Sequence, residues 1–178
     1  MAIRVCYGLH EDFPEQIVET VEVQTGQTFN VGDVLLAETL VAGSKKVYEA
    51  GLVDDATADV PAIIVDQKFV ELADGRRVEG SNLLTDLEFK AGDVIHAVRL
   101  AKDFKFEISV ESLGNTGVVA PAVGVFLIPV DDEKKLATSA TIGTAKVALK
   151  IEALATIPTG GNLALGYNAS VIARVVQV

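Results

Sequence analysis

Cys6 and His10 stand four residues apart near the start of the chain, and His96 is the only other histidine. A thiol and an imidazole are the parts of a nucleophile–base pair, which also needs a third group to orient the base. In an extended strand this spacing puts Cys6 and His10 on one face, too far apart for a hydrogen bond. His96 follows Ile95 in an alternating run, which points its ring outward. No Gly-Ser-Cys signature surrounds Cys6. The favoured reading assigns no catalytic residue, and the chain is expected not to be an enzyme.

Metal and cofactor chemistry is equally thin. Zinc needs clustered Cys and His ligands, and these three residues are the whole supply. Oxygen ligands for calcium can be drawn from Asp54, Asp55 and Asp59, or from Asp131, Asp132 and Glu133. Neither set has the calcium-loop spacing with a central Gly and terminal Glu, so both read as solvated loop charges. No phosphate loop or dinucleotide fingerprint is present, and Gly160-Gly161 reads as a turn pair. No metal and no cofactor are expected. Three Tyr and no Trp disfavour a sugar platform. The 25 acidic residues guarantee carboxylate pairs by number alone, so such pairs carry no information.

Arg76-Arg77 is the only adjacent arginine pair, directly after Asp74-Gly75. It reads either as a hairpin tip offering charge-assisted contacts to a partner's carboxylates, or as a solvated tip. Arg76 and Arg77 are therefore the candidate partner contacts. Lys45-Lys46 and Lys134-Lys135 read as ordinary loop lysines.

The elements that must hold these residues are strands. Lys105–Glu111 alternates strictly, with Phe106, Ile108 and Val110 on one face; Lys146–Glu152 does the same with Val147, Leu149 and Ile151. Ile3–Tyr7, Val18–Val23, Val34–Val41, Ala62–Val65, Val94–Leu100 and Leu165–Val178 are further strand candidates. Turn signals at Gly26, Gly32, Gly43, Gly75, Gly92, Gly114 and Pro158–Gly161 separate them. Glu11–Glu19 and Asp131–Leu136 offer at most two short helices. The expected class is all-β, a mainly antiparallel barrel or sandwich.

Phe29–Leu40 aligns without gaps on Phe89–Leu100, sharing Phe, Gly, Asp, Val, Ala and Leu. The match reads as a duplicated β-unit, or as a turn-then-strand signature used twice independently. Residues 1–178 are expected to form a single compact β domain, with two related lobes, about 1–72 and 80–178, as the finer division.

Composition bounds the partners. A formal charge of −10 repels phosphate backbones, so no nucleic acid is expected. No stretch reaches the ~18 apolar residues of a membrane span, so no membrane is expected either. One cysteine makes no internal disulfide. Val118–Val125 reads as a docking loop or as a buried strand broken by a turn. The apolar end Ser170–Val178 reads as a strand tied into a sheet, or paired with another subunit.

Thr25-Gly26-x-x-Phe29-x-x-Gly32-Asp33-Val34, its echo Phe89-x-x-Gly92-Asp93-Val94, and the Thr/Gly/Ala/Val-rich end from Thr138 to Val178 resemble tailed-bacteriophage virion proteins, most of all head decoration or cement proteins. The resemblance implies a small β-barrel protein made in the host cytoplasm and placed on the virion's capsid surface. It implies the major capsid protein as partner, and a homo-oligomer, often a trimer, that reinforces capsomer junctions. A tail or head-completion component is the nearest alternative; a β-fold ligand-binding module or enzyme is the more distant one.

Overall fold

A computed structural model describes residues 6–8, 18–65, 69–71, 77–79, 88–159 and 166–178, with the backbone path alone at 7–8, 69–71, 77–79, 156–159 and 166–168. The described strands are β1 (Cys6–Gly8), β2 (Val18–Val23), β3 (Val34–Leu40), β4 (Val47–Gly51), β5 (Ala62–Ile64), β6 (Phe69–Glu71) and β7 (Arg77–Glu79). They continue as β8 (Val94–Arg99), β9 (Lys105–Ser109), β10 (Phe126–Ile128), β11 (Ala137–Ser139), β12 (Ala148–Thr159) and β13 (Gly166–Gln177). A 3-10 turn at Val110–Ser112 is the helical element among the described residues. The fold is all-β: a closed barrel in the order β2-β4-β3-β5-β8, an open sheet in the order β1-β9-β13-β12-β10-β11, and a two-stranded β6-β7 ribbon.

The two Phe-x-x-Gly-Asp-Val units meet inside the barrel. Phe29 and Phe89 form an antiparallel bridge, N–H to O at 3.0 and 2.7 Å, and both rings are buried. Each turn needs Gly with positive φ, +85° at Gly32 and +87° at Gly92. Each aspartate then closes its own turn: Asn30 N donates to Asp33 Oδ2 at 2.8 Å, and Lys90 N to Asp93 Oδ2 at 2.7 Å. The outward bonds match as well. Gly32 N donates to Ile64 O and Ile64 N to Asp33 O; Gly92 N donates to Val23 O and Val23 N to Asp93 O. β3 pairs with β5 and β8 with β2, both antiparallel, so the strand after each Gly-Asp turn lies against a strand that precedes the other turn. Residues 72–76 separate β6 from β7, and strands from both sides of them close the barrel.

Barrel and sheet share one buried cluster. Val21, Val34, Leu35, Ile63 and Ile95 come from the barrel; Phe106, Ile108, Leu127, Leu149, Ile151, Val171 and Val175 come from the sheet. Burying each such aliphatic or aromatic side chain contributes about 1.5–3 kcal/mol. The stretch 131–136, where a helix or a charged loop was expected, is a non-helical clamp between the two layers. Val34 N donates to Lys134 O at 2.7 Å, Asp132 N to Val53 O at 2.8 Å, and Ala56 N to Asp131 Oδ1 at 2.7 Å. Lys134 Nζ donates to Thr28 O at 2.6 Å and sits 5.3 Å from the centre of the Phe29 ring. Lys134 is thus a packing residue as well as a loop lysine.

Three local readings shift. The strand expected over Lys105–Glu111 stops at Ser109, because Ser109 Oγ and Ser112 Oγ bond at 2.9 Å and Ser112 Oγ reaches Val31 O at 3.3 Å. A serine pair competing with the ladder is invisible to a period-two pattern. Pro158 and Thr159, expected to turn, remain in β12. Val118–Val125 is a loop, and strand begins only at Phe126.

Candidate interaction surfaces

Among the described residues, the Cys6 thiol and the His96 imidazole occupy different settings. Cys6 is fully buried in the core. His96 lies on the outside of the barrel on β8, its Nδ1 sharing a 3.1 Å hydrogen bond with Thr20 Oγ1 of β2. Partial shielding from water holds its imidazole below the usual histidine range. His10 lies outside the described residues, as does Arg76. Arg77 opens β7, where the backbone path alone is described.

Of the calcium candidates, Asp55 and Asp59 act as turn carboxylates. Asp55 Oδ1 accepts from Thr57 N at 2.9 Å and Thr57 Oγ1 at 2.6 Å, and Asp59 Oδ2 accepts from Asp55 N at 2.9 Å. The Thr57 hydroxyl bond, first, holds the Asp55 carboxyl below its ordinary value. Among the described residues no three His, Cys, Asp or Glu side chains gather as a metal site. A shallow cleft of about 330 Å³ lies between Thr57, Asp131, Thr141 and Thr144, and its one carboxylate is the one already held by Ala56 N.

The surface feature that stands out is apolar. The sequence from Ser112 to Val130 holds no Asp, Glu, Lys or Arg. Within it, Val118 is 77% exposed and Val123 64%. The loop is anchored at both ends. Thr138 Oγ1 on β11 donates to Asn115 O at 3.2 Å and to Val119 O at 2.6 Å. Gly124 N donates to Ile151 O at 2.8 Å, and Ile151 N to Val125 O at 2.9 Å. Two large apolar side chains are thereby presented to water by a loop tied to the open sheet. The charge-free composition was legible in the sequence; the exposure was not.

Beside this loop the sheet carries its charges in a group. Lys105 Nζ lies 2.9 Å from Glu152 Oε2, and Arg174 Nε 2.7 Å from Glu152 Oε1, the latter a charge contact without hydrogen-bond alignment. Hydrogen bonding from Lys105 and the charges of Arg174 and Lys105 hold the Glu152 carboxyl below its usual range, against a smaller opposing effect of burial. On the barrel, Arg99 pairs with Glu19. Arg99–Glu19 and Arg174–Glu152 link neighbouring strands, and Lys105–Glu152 reaches across β13.

Among the described residues no helix is long and apolar enough to cross a membrane. Comparison with protein-family models, with curated proteins and with solved structures finds no match.

Proposed function

We propose that this chain is a non-enzymatic structural protein of a tailed-bacteriophage virion, one that docks on the capsid exterior and reinforces it, with the major capsid protein as its partner. The observation that carries the reading is the anchored loop with Val118 and Val123 turned outward. A decoration protein needs an ordered apolar contact surface on a stable scaffold, and it needs no catalytic group. Saturation of many equivalent lattice sites then supplies strength that one contact lacks. The virion assignment itself comes from the resemblance in the Gly-Asp-Val units.

Co-sedimentation with capsids that lack this protein tests it. Saturable binding is expected, and Val118→Asp with Val123→Asp should weaken it on the order of tenfold or more, as loss of buried apolar anchors does. His96→Ala should bind as the unmodified chain does. Absence of binding at every salt concentration would remove the proposal.

A further inference from the structure

β12 and β13 form a hairpin that outruns its sheet. Their pairing extends from Ala148↔Gln177 to Thr159↔Gly166. Their outer neighbours stop much earlier. β9 follows β13 only as far as Ser170, and β10 with the loop before it follows β12 only as far as Ile151. Beyond these points the hairpin is a two-stranded arm with no further strand beside it among the described residues.

The arm, like the Ser112–Val130 stretch, is free of charge. From Ala153 to Ala173 the sequence has no Asp, Glu, Lys or Arg, in a chain carrying 25 acidic and 15 basic residues. Its two edges also differ. Free edges are normally blunted by Lys, Pro or a bulge. β12 has a register shift between Ile151 and Ala153, and Pro158 removes one backbone donor from it. On β13, the stretch Gly166–Ala169 has no Pro, no charge and no register shift. Apolar surface accompanies this edge. Leu154 stands opposite Val171 in the ladder, hence on the same face; Val171 is fully buried, whereas Leu154 is 57% exposed. Ala169, opposite Thr156, falls on that face too and is exposed. The core-facing side of the hairpin therefore continues past the core.

We infer that the β12–β13 arm is a self-association surface, its occupant the arm of a second copy of this chain paired along the β13 edge at Gly166–Ala169. Two copies at −10 each repel where like-charged surfaces face, which favours a contact between them on charge-free surface. The arm is such a surface. Antiparallel pairing of one β13 edge with the same edge of another copy is self-complementary, as a two-fold contact requires. The inference does not depend on the capsid reading, because it concerns the free protein.

Sedimentation of the full chain without capsids provides the test. The unmodified protein should show a mass of at least twice its 18.8 kDa, falling toward the single-chain mass on dilution. Leu154→Asp with Ala169→Asp, both at exposed positions, should raise the dissociation constant on the order of a hundredfold through like-charge repulsion, with unchanged circular dichroism. Hydrogen exchange on the unmodified chain gives a readout without substitution: amides at 166–169 should exchange more slowly at high concentration. A single-chain mass at all concentrations, a folded double variant that still associates, or exchange at 166–169 independent of concentration would each overturn the inference. Capsid binding by a single-chain species would remove this interface alone, and association without capsid binding would remove the capsid reading alone.

Discussion

Gly32 and Gly92 occupy the same place in the two repeated turns, yet their surroundings differ. Both require positive φ, where a side chain costs about 1–2 kcal/mol. A Cβ on Gly32 would in addition fall 2.6 Å from Ser112 Cβ and Oγ, inside a packed core. Overpacking of that kind adds about 1–3 kcal/mol. Gly92→Ala should therefore destabilise by roughly 1–2 kcal/mol and Gly32→Ala by roughly 2–5 kcal/mol, read from urea unfolding midpoints. Equal costs would contradict the asymmetry. At this scale the Gly-Asp turns were legible in the sequence, because only Gly suits the turn and the Asp side chain caps it locally. The clamp role of Lys134 was not, since Thr28 and Phe29 come within its reach only through the tertiary fold.

Among the elements, β9, β12 and β13 are tied by Glu152. It sits at the register shift between Ile151 and Ala153, and a bulge re-aims the side chain it displaces. There it meets Lys105 and Arg174, which are themselves register partners across β9 and β13. The Lys105 hydrogen bond places the folded-state pKa of Glu152 below its unfolded value. Its contribution to stability is then full above the ordinary glutamate range and is lost as pH falls through the folded value. The stabilities of Glu152→Gln and the unmodified protein should therefore differ at neutral pH and converge as pH falls below the ordinary glutamate range and through the lowered folded value. High salt should narrow the gap, since all three groups are partly exposed. Curves that run parallel through acid pH would contradict this. The sequence displayed the buried face of β12 in Val147, Leu149 and Ile151, because alternation over seven residues is a strong signal. It did not display β10 or β11, whose three residues are too few to show a period, nor β4, which pairs in parallel with β2.

For the whole molecule, the final strand is the hinge of the architecture. β13 lies between β9 and β12, and Val171, Ala173 and Val175 are buried in the shared core. Deleting Val171–Val178 should leave no cooperatively folded protein, because the lost burial and ladder rival the ~5–15 kcal/mol that stabilises an ordinary domain. Circular dichroism and a thermal melt would check it; a soluble truncated chain with an intact transition would refute it. That the chain end belongs in a sheet was legible from its richness in β-branched residues, Val171, Ile172, Val175, Val176 and Val178. The two contact surfaces were legible only as charge-free stretches, since exposure depends on where neighbouring strands stop.

The crossed pairing of the repeated units also bears on how the chain is made. β2 finds its antiparallel neighbour β8 only after Val98 has been synthesised, and Phe29 waits equally long for Phe89. A ribosome that has delivered β2 through β5 holds strands whose closing partner does not yet exist. Such sequence-distant pairing slows folding and leaves edges open to wrong partners in the interval. The barrel is thus an assembly that closes late, with each copy of the unit serving as the template on which the other completes its turn.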